Sequence, residues 1–333
     1  MGKTVRLVQP DGSVHVYDAT GRDVHVDQPL TEILLAYRLQ GSVADQIFPI
    51  VPVAKQHGMY YEFNQADWFR VEDSVRAPMT AAKWVDFDIT SATYFAKNYA
   101  FATGVSIEDQ VNADEVLRLR ESKALFITDK LMLDWEKRVS ALVINSSNVS
   151  TFTLPASGQW RNWSASDPVF DIQRAIETMR RATGYRANRM VIGAEAHWHL
   201  QFNATLRALI FPAPGGVTPG GGIPTLQQIS NVFRLDQTVV ADAQENTGKE
   251  GLPQTLSDLY GPNVLLYYAP PRPSRETPSF GYSFRWTAPG IANFTVEDLG
   301  FDRRLKGNIL DIGYYQDEKV TGSRFATVIA SVV

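Results

Sequence analysis

The chain has 333 residues, of which 44% are hydrophobic, 11% aromatic and 20% charged, with a formal net charge of −4. That length is past the size at which one hydrophobic core keeps growing, so two lobes, or one lobe with long excursions, are expected. The acidic balance gives no support for nucleic-acid binding as the main activity, and zero cysteines exclude disulfides, thiolate zinc sites, iron–sulfur clusters and a Cys nucleophile.

The start, MGKTVRLVQP, has no apolar run long enough for a signal peptide, and Arg6 stands where myristoylation needs Ser or Thr. No later stretch approaches ~20 apolar residues, so a soluble chain made in the cytoplasm, with no membrane partner, is expected. Val5–Val8 and Ser13–Tyr17 flank Pro10-Asp11-Gly12, which predicts a hairpin. A polar turn at Asp18–Asp23 and a short helix over Leu30–Leu39, ended by Gly41, follow. This segment has too few large apolar residues for its own core and reads as an arm lying on something else. Ile47–Val53 holds two prolines, which force an extended run and rule out a central strand. Met59–Phe63 and Trp84–Thr90 alternate as strands. The long connection between them, Asn64–Lys83, predicts a functional or intersubunit loop. Trp68, Phe69 and Arg70 are its candidate intersubunit contacts; the alternative is that the two rings tuck back onto their own strands.

Asn112–Asn145 contains no Gly or Pro. Ala113, Leu117, Ala124, Ile127, Leu131, Trp135, Val139 and Leu142 draw one apolar stripe along it, and Asp114–Arg118, Lys130–Asp134 and Asp134–Arg138 are i,i+4 pairs. A helix of that length runs to roughly 50 Å. The stripe does not hold heptads, so a spine on which sheets and helices lean is preferred to a coiled coil. Ser146–Ser164 reads as a loop. A helix starts at Asp167-Pro168, carries Val169, Ile172, Ile176 and Met179, and stops at Gly184. Strand Arg189–Gly193, helix Glu195–Ile210, the Gly/Pro loop Pro212–Pro224, helical turns at Thr225–Phe233 and strand Gln237–Asp242 come next. Asn263–Tyr268, Tyr282–Trp286, Asn293–Glu297, Ile309–Tyr315 and Phe325–Val333 complete the strands, for an α+β chain.

Catalytic signals are weak. His197 and His199 point to opposite sides of a helix; Glu195 and His199 share a face but lack a third ligand. Asp86 and Asp88 share the polar face of the expected strand, the ordinary arrangement for solvated carboxylates. Gly248-Lys249 lacks the Ser or Thr of a phosphate loop, and Gly215–Gly222 carries no lysine. Arg272–Glu276 and Arg303–Lys306 are short basic runs whose phosphate contacts would be secondary and salt-sensitive. No catalytic, metal or cofactor residue is assigned.

Ile47–Val53, Gly58–Phe63 and Ala66-Asp67-Trp68-Phe69-Arg70 resemble the run that leads into the extended loop of tailed-bacteriophage major capsid proteins. In order, Asp167-Pro168…Ile172…Ala175-Ile176, Thr183–Asn188, Val191–Gly193, Thr247–Gly251, Phe280–Trp286, Tyr314-Tyr315 and Lys319-Val320 also fit. The resemblance covers about Leu30 onward and implies the Hong Kong 97-type capsid fold. It places an N-terminal arm at 1–48, the extended loop and flanking strands at 49–105 and a peripheral domain with the spine helix at 106–185. An axial domain would occupy 186–300, and strands returning to the peripheral domain 301–333.

The resemblance further implies a non-enzymatic protein without cofactor, forming hexamers and pentamers that close an icosahedral head. Expected partners are other copies, portal, scaffolding and decoration proteins, and packaged double-stranded DNA through weak non-specific contacts. The expected location is the virion shell, assembled in the host bacterial cytoplasm. No cleavable scaffolding segment is expected before the arm, and the Val5–Tyr17 hairpin lies outside the resemblance. Some relatives cross-link a lysine to an asparagine; Lys55 and Lys83 lie in or near the loop, but no reactive pair stands out. The alternatives are an encapsulin-like cargo shell on the same fold and a nucleotide-binding enzyme using the Gly-rich loop.

Overall fold

The computed structural model describes residues 5–8, 14–17, 23–26, 41–63, 70–76, 79–86, 89–108, 119–212, 222–274, 277–287 and 294–333. The chain runs β1 (Val5–Val8), β2 (Val14–Tyr17), β3 (Asp23–Val26), α1 (Ala44–Ile47), β4 (Ile50–Val53), β5 (His57–Phe63), β6 (Ile89–Phe95) and β7 (Lys97–Ser106). The spine helix α2 (Leu119–Ile144), β8 (Ser150–Thr153), α3 (Pro168–Thr183), β9 (Arg189–Gly193), α4 (Ala194–Phe202), α5 (Ala204–Ile210) and α6 (Leu226–Phe233) follow. The rest is β10 (Gln237–Ala241), β11 (Gln244–Asn246), β12 (Leu256–Asp258), β13 (Val264–Tyr267), β14 (Gly281–Trp286), β15 (Thr295–Asp302), β16 (Gly307–Val320) and β17 (Ala326–Ala330).

Two sheets organise the molecule. One has eight strands in the order β1-β2-β3-β15-β16-β14-β4, with β7 paired to β16; the other has five, β10-β9-β13-β17-β8. The spine serves both. Its first half presents Ala124, Ile127, Leu131 and Met132 to Phe294, Val296, Leu310, Ile312 and Tyr314 of the larger sheet. Its second half presents Trp135, Val139 and Val143 to Val191, Leu265, Tyr267 and Val328 of the smaller one. The other face of the smaller sheet (Met190, Ile192, Val264, Leu266, Ile329) packs on α3 to α6. Alternation along β9, β13 and β17 makes this possible, since successive side chains point to opposite faces. The apolar stripe on α2 follows the expected one, but helix α3 lies across the smaller sheet from the spine and not against it.

Local signals explain most boundaries. The Asp167 side chain accepts from Phe170 N–H, Pro168 takes the first helical position, and Gly184 closes α3 at φ 73°, where a side chain would be strained. Thr225 and Gln228 form a capping box on α6. β4 lies at the sheet edge, where Pro52 costs no ladder bond.

Several expectations are corrected. The helix expected over Glu195–Ile210 is two, broken at Asn203, whose side chain caps α5 through Thr205 and Leu206 N–H while donating to Ser166. Trp84–Asp86 is not a strand; β6 begins at Ile89. Ser146–Ser164 contains β8, held parallel to β17. Ile47 ends α1 before the chain becomes extended. In the arm, β1 and β2 pair as expected, and a further strand, β3, joins them to β15. By sheet membership, β14 and β15 belong to the larger sheet and β17 to the smaller. Leu30–Leu39, Asn112–Arg118 and most of the Gly/Pro loop lie outside the described residues.

Candidate assembly surface

The two-stranded ribbon β5–β6 pairs His57 with Phe95 through to Phe63 with Ile89. Its root is fastened to the larger sheet: Tyr60 and Tyr94 pack with Val51, Val53, Tyr282 and Phe284, and the Tyr94 and Phe284 rings stack at 4.7 Å. Gly58 is required there, because a Cβ would lie 2.6 Å from the Tyr94 hydroxyl oxygen. Burial of these aromatics holds the ribbon in place, while the loop beyond it is left uncovered.

That loop exposes large apolar side chains among charged ones. Val71 is 96% exposed, Val75 88% and Trp84 95%, and Met79 is fully exposed at φ 60°. Exposed apolar side chains on one excursion mark an interaction surface. The loop nevertheless has internal order: Lys83 Nζ meets Glu72 at 2.9 Å, joining its two legs, and Asp73 accepts from Val75 N–H. The Lys83 hydrogen bond and charge hold the Glu72 carboxyl below its usual range. Arg70 is exposed, whereas Trp68 and Phe69 lie outside the described residues. Asp86 is exposed and off any strand; Asp88 is also outside the described residues.

The spine carries a buried polar frame. Glu136 is fully buried and caps α1 from 92 residues away, accepting from Val43 N–H, Ala44 N–H and Ser42 Oγ. Burial raises its carboxyl above the usual value, against the pull of those donors. Arg138 bonds Glu318 at 2.9 Å, Tyr314 Oη at 3.0 Å and Asp134, and lies 3.7 Å from the Tyr99 ring. Burial pulls its guanidinium down, but Glu318 and Tyr314 raise it on balance. Arg285, buried among Trp135, Phe294 and Tyr314, has Nε 2.7 Å from Gln316 Oε1. Burial pushes it down to about 10. Arg138 and Arg285 register the spine on β14 and β16, and Glu136 ties it to α1. Sequence reasoning missed them because a charged residue beside an apolar stripe reads as a solvated one. For their partners Tyr314, Gln316 and Glu318, the even-numbered inward parity of β16 was the available signal.

The remaining candidates sit apart. His197 contacts Gln201, and His199 accepts from Trp163 Nε1 at 3.0 Å within a half-exposed cluster of Trp163, Trp198 and Phe202. Burial lowers both histidines. Among the described residues no group of His, Asp and Glu is arranged to hold a metal, and no helix is long and apolar enough to cross a membrane.

No family model matches the sequence. It is 25% identical over 265 residues to the major capsid protein of Pseudomonas phage JBD67, covering 78% of this chain and 83% of the relative. To the major capsid protein of Burkholderia phage BcepMu it is 23% identical over 282 residues, 82% and 87% of the two chains. A phage-related protein from Bordetella bronchiseptica superposes with a TM-score of 0.70 at 19% identity, covering 92% and 97%. The capsid of cyanophage P-SCSP1u gives 0.57 at 11%, covering 88% and 89%. The SrpI encapsulin of Synechococcus elongatus gives 0.50 at 12%, covering 90% and 94%. The fold is the α+β Hong Kong 97-type capsid fold. By sequence the chain is a relative of bacteriophage major capsid proteins.

Proposed function

We propose that this chain is the structural major capsid protein of a tailed bacteriophage, assembling into hexamers and pentamers of an icosahedral head around double-stranded DNA. The similarity along most of its length to two phage major capsid proteins carries the reading, and the exposed apolar loop supports it physically. In this reading the larger sheet with the first half of the spine is the peripheral domain, and the smaller sheet with α3 to α6 the axial domain. The loop, with Trp68, Phe69 and Arg70, reaches a neighbouring copy. Portal, scaffolding and decoration proteins are the further partners, DNA contacts are weak and non-specific, assembly takes place in the host cytoplasm, and the chain performs no catalysis. A cargo shell on the same fold is the lesser reading, since both sequence relatives are phage capsid proteins.

Size-exclusion chromatography and negative-stain microscopy of the purified protein test this. Capsomers or closed shells are expected; a strict monomer under assembly conditions refutes it.

A further inference from the structure

β7 is ten residues long and pairs throughout with β16, from Lys97 opposite Gln316 to Ser106 opposite Gly307. β14 and β15 also pair with β16. Backbone direction settles which side each occupies, because successive residues of a strand turn their N–H and C=O to opposite edges. Ile107 N–H donates toward β16, to the Lys306 carbonyl at 3.1 Å. Thr321 N–H donates to the Phe280 carbonyl at 3.0 Å, on the β14 side. Even-numbered residues of β16 therefore serve β7, and odd-numbered ones serve β14 and β15. The far side of β7 is an edge of the sheet.

The same alternation shows what that edge offers. Odd-numbered β7 residues bond β16, so Asn98, Ala100, Ala102 and Gly104 face outward; Ala96 already does so, donating to Gln56 at 2.8 Å. The Gly104 carbonyl accepts from Lys123 Nζ at 2.6 Å. The outward backbone groups of Asn98, Ala100 and Ala102 have no partner among the described residues. Exposed edges are ordinarily blunted by proline, a bulge or charge. β7 has no proline, an unbroken register with β16, and Lys97 at its first position as its one charged residue.

Phe101, which is 48% exposed, sits near the middle of the strand with an alanine on either side, Ala100 and Ala102. In an antiparallel pairing centred there, Ala100 falls opposite Ala102 of a second copy and Asn98 opposite Gly104. Outward-facing residues thus meet outward-facing residues, as backbone exchange requires. Phe101 meets its own mate at a non-hydrogen-bonded position, where side chains come closest. Lys97 falls opposite Val105, so the two copies of Lys97 do not face each other.

We propose that the outer edge of β7 is a strand-pairing interface between two copies of this chain, antiparallel about a twofold axis at Phe101. Such a contact is self-complementary and closed. It rests on the reading that copies of the chain assemble, and adds to it which backbone joins two of them.

The chain has no cysteine, so Phe101→Cys introduces a single thiol. A non-hydrogen-bonded antiparallel pair sets the Cα atoms about 4.5 Å apart, within disulfide range. Mild oxidation of assembled Phe101→Cys particles should convert most of the chain to a reducible dimer on a denaturing gel, with Leu299→Cys, exposed on β15, remaining monomeric. Ala102→Pro deletes an outward N–H without touching the β16 ladder; it should keep the subunit Tm and lose particles. Oxidised Phe101→Cys particles that run as monomer, or Ala102→Pro assembling like the parent, overturn the pairing and leave the shell reading standing. A parent chain that forms no particles overturns the shell reading and the pairing with it.

Discussion

Trp135 stands at the point where the spine passes from one sheet to the other. It is 5% exposed, packs in the core shared with the smaller sheet, and has the Arg285 guanidinium 5.3 Å from its ring centroid. Trp135→Ala removes a large buried ring and should cost ~3–5 kcal/mol. Trp135→Asp loses the same packing and leaves a carboxylate too short to fill the space, with a desolvation cost of several further kcal/mol. Domain stabilities are ~5–15 kcal/mol, so the Asp variant should not fold. Trp135→Phe isolates the packing: the indole Nε1 has no hydrogen-bond partner among the described residues, so deleting it relieves a penalty of ~1–3 kcal/mol that offsets part of the cavity. Urea unfolding followed by far-UV circular dichroism checks the series. A soluble Asp variant with the parent midpoint, or a Phe variant as damaged as Ala, would refute the account.

Trp68→Ala and Trp84→Ala should each leave a folded subunit that assembles poorly, measured as unchanged Tm with fewer particles; normal assembly of both would show that the loop anchors nothing. Glu136 has a folded-state pKa raised above the ordinary 4.5, chiefly by burial. The folded state therefore binds the proton more tightly, and stability falls as pH rises from 4.5 through the raised value, levelling off above it. Relative to the parent, Glu136→Gln should gain stability as pH rises through that window; a difference flat from about pH 4.5 to about 7.5 in paired denaturation curves would count against this. Asn203→Ala strips the cap from α5 and leaves Ser166 without its donor, so a loss of ~1–3 kcal/mol in urea unfolding is expected.

Elements with local punctuation were legible. α3, α6 and β9 stand where Asp167-Pro168, the Thr225 and Gln228 pair and the run Arg189–Gly193 place them. The break at Asn203 was hidden because its side chain is drawn out by Ser166, 37 residues earlier. β8 was hidden because a short Ser/Thr-rich stretch becomes a strand only when β17 lies beside it. Trp84–Asp86 shows the reverse error. Its alternation resembles a half-buried strand, yet Trp84 and Val85 are left exposed by the described residues. Of the candidate contacts, composition and loop length pointed to the loop as a whole, whereas the exposed Val71, Val75 and Met79 emerged with the structure.

The sequence by itself determined where the chain is apolar and with what period. That sufficed for the spine, for the strand alternation and, through ordered resemblance, for the capsid fold. Only the tertiary structure decided which partner each apolar face meets. One continuous stripe on α2 divides between two sheets, and β14, β15 and β17 fall into sheets that chain order does not indicate. It also decided that Glu136 and Arg285 lie inside, where partners from distant segments engage them. The reason is physical: periodicity is a local property that marks which side must leave water, whereas pairing and burial depend on groups brought together from far along the chain.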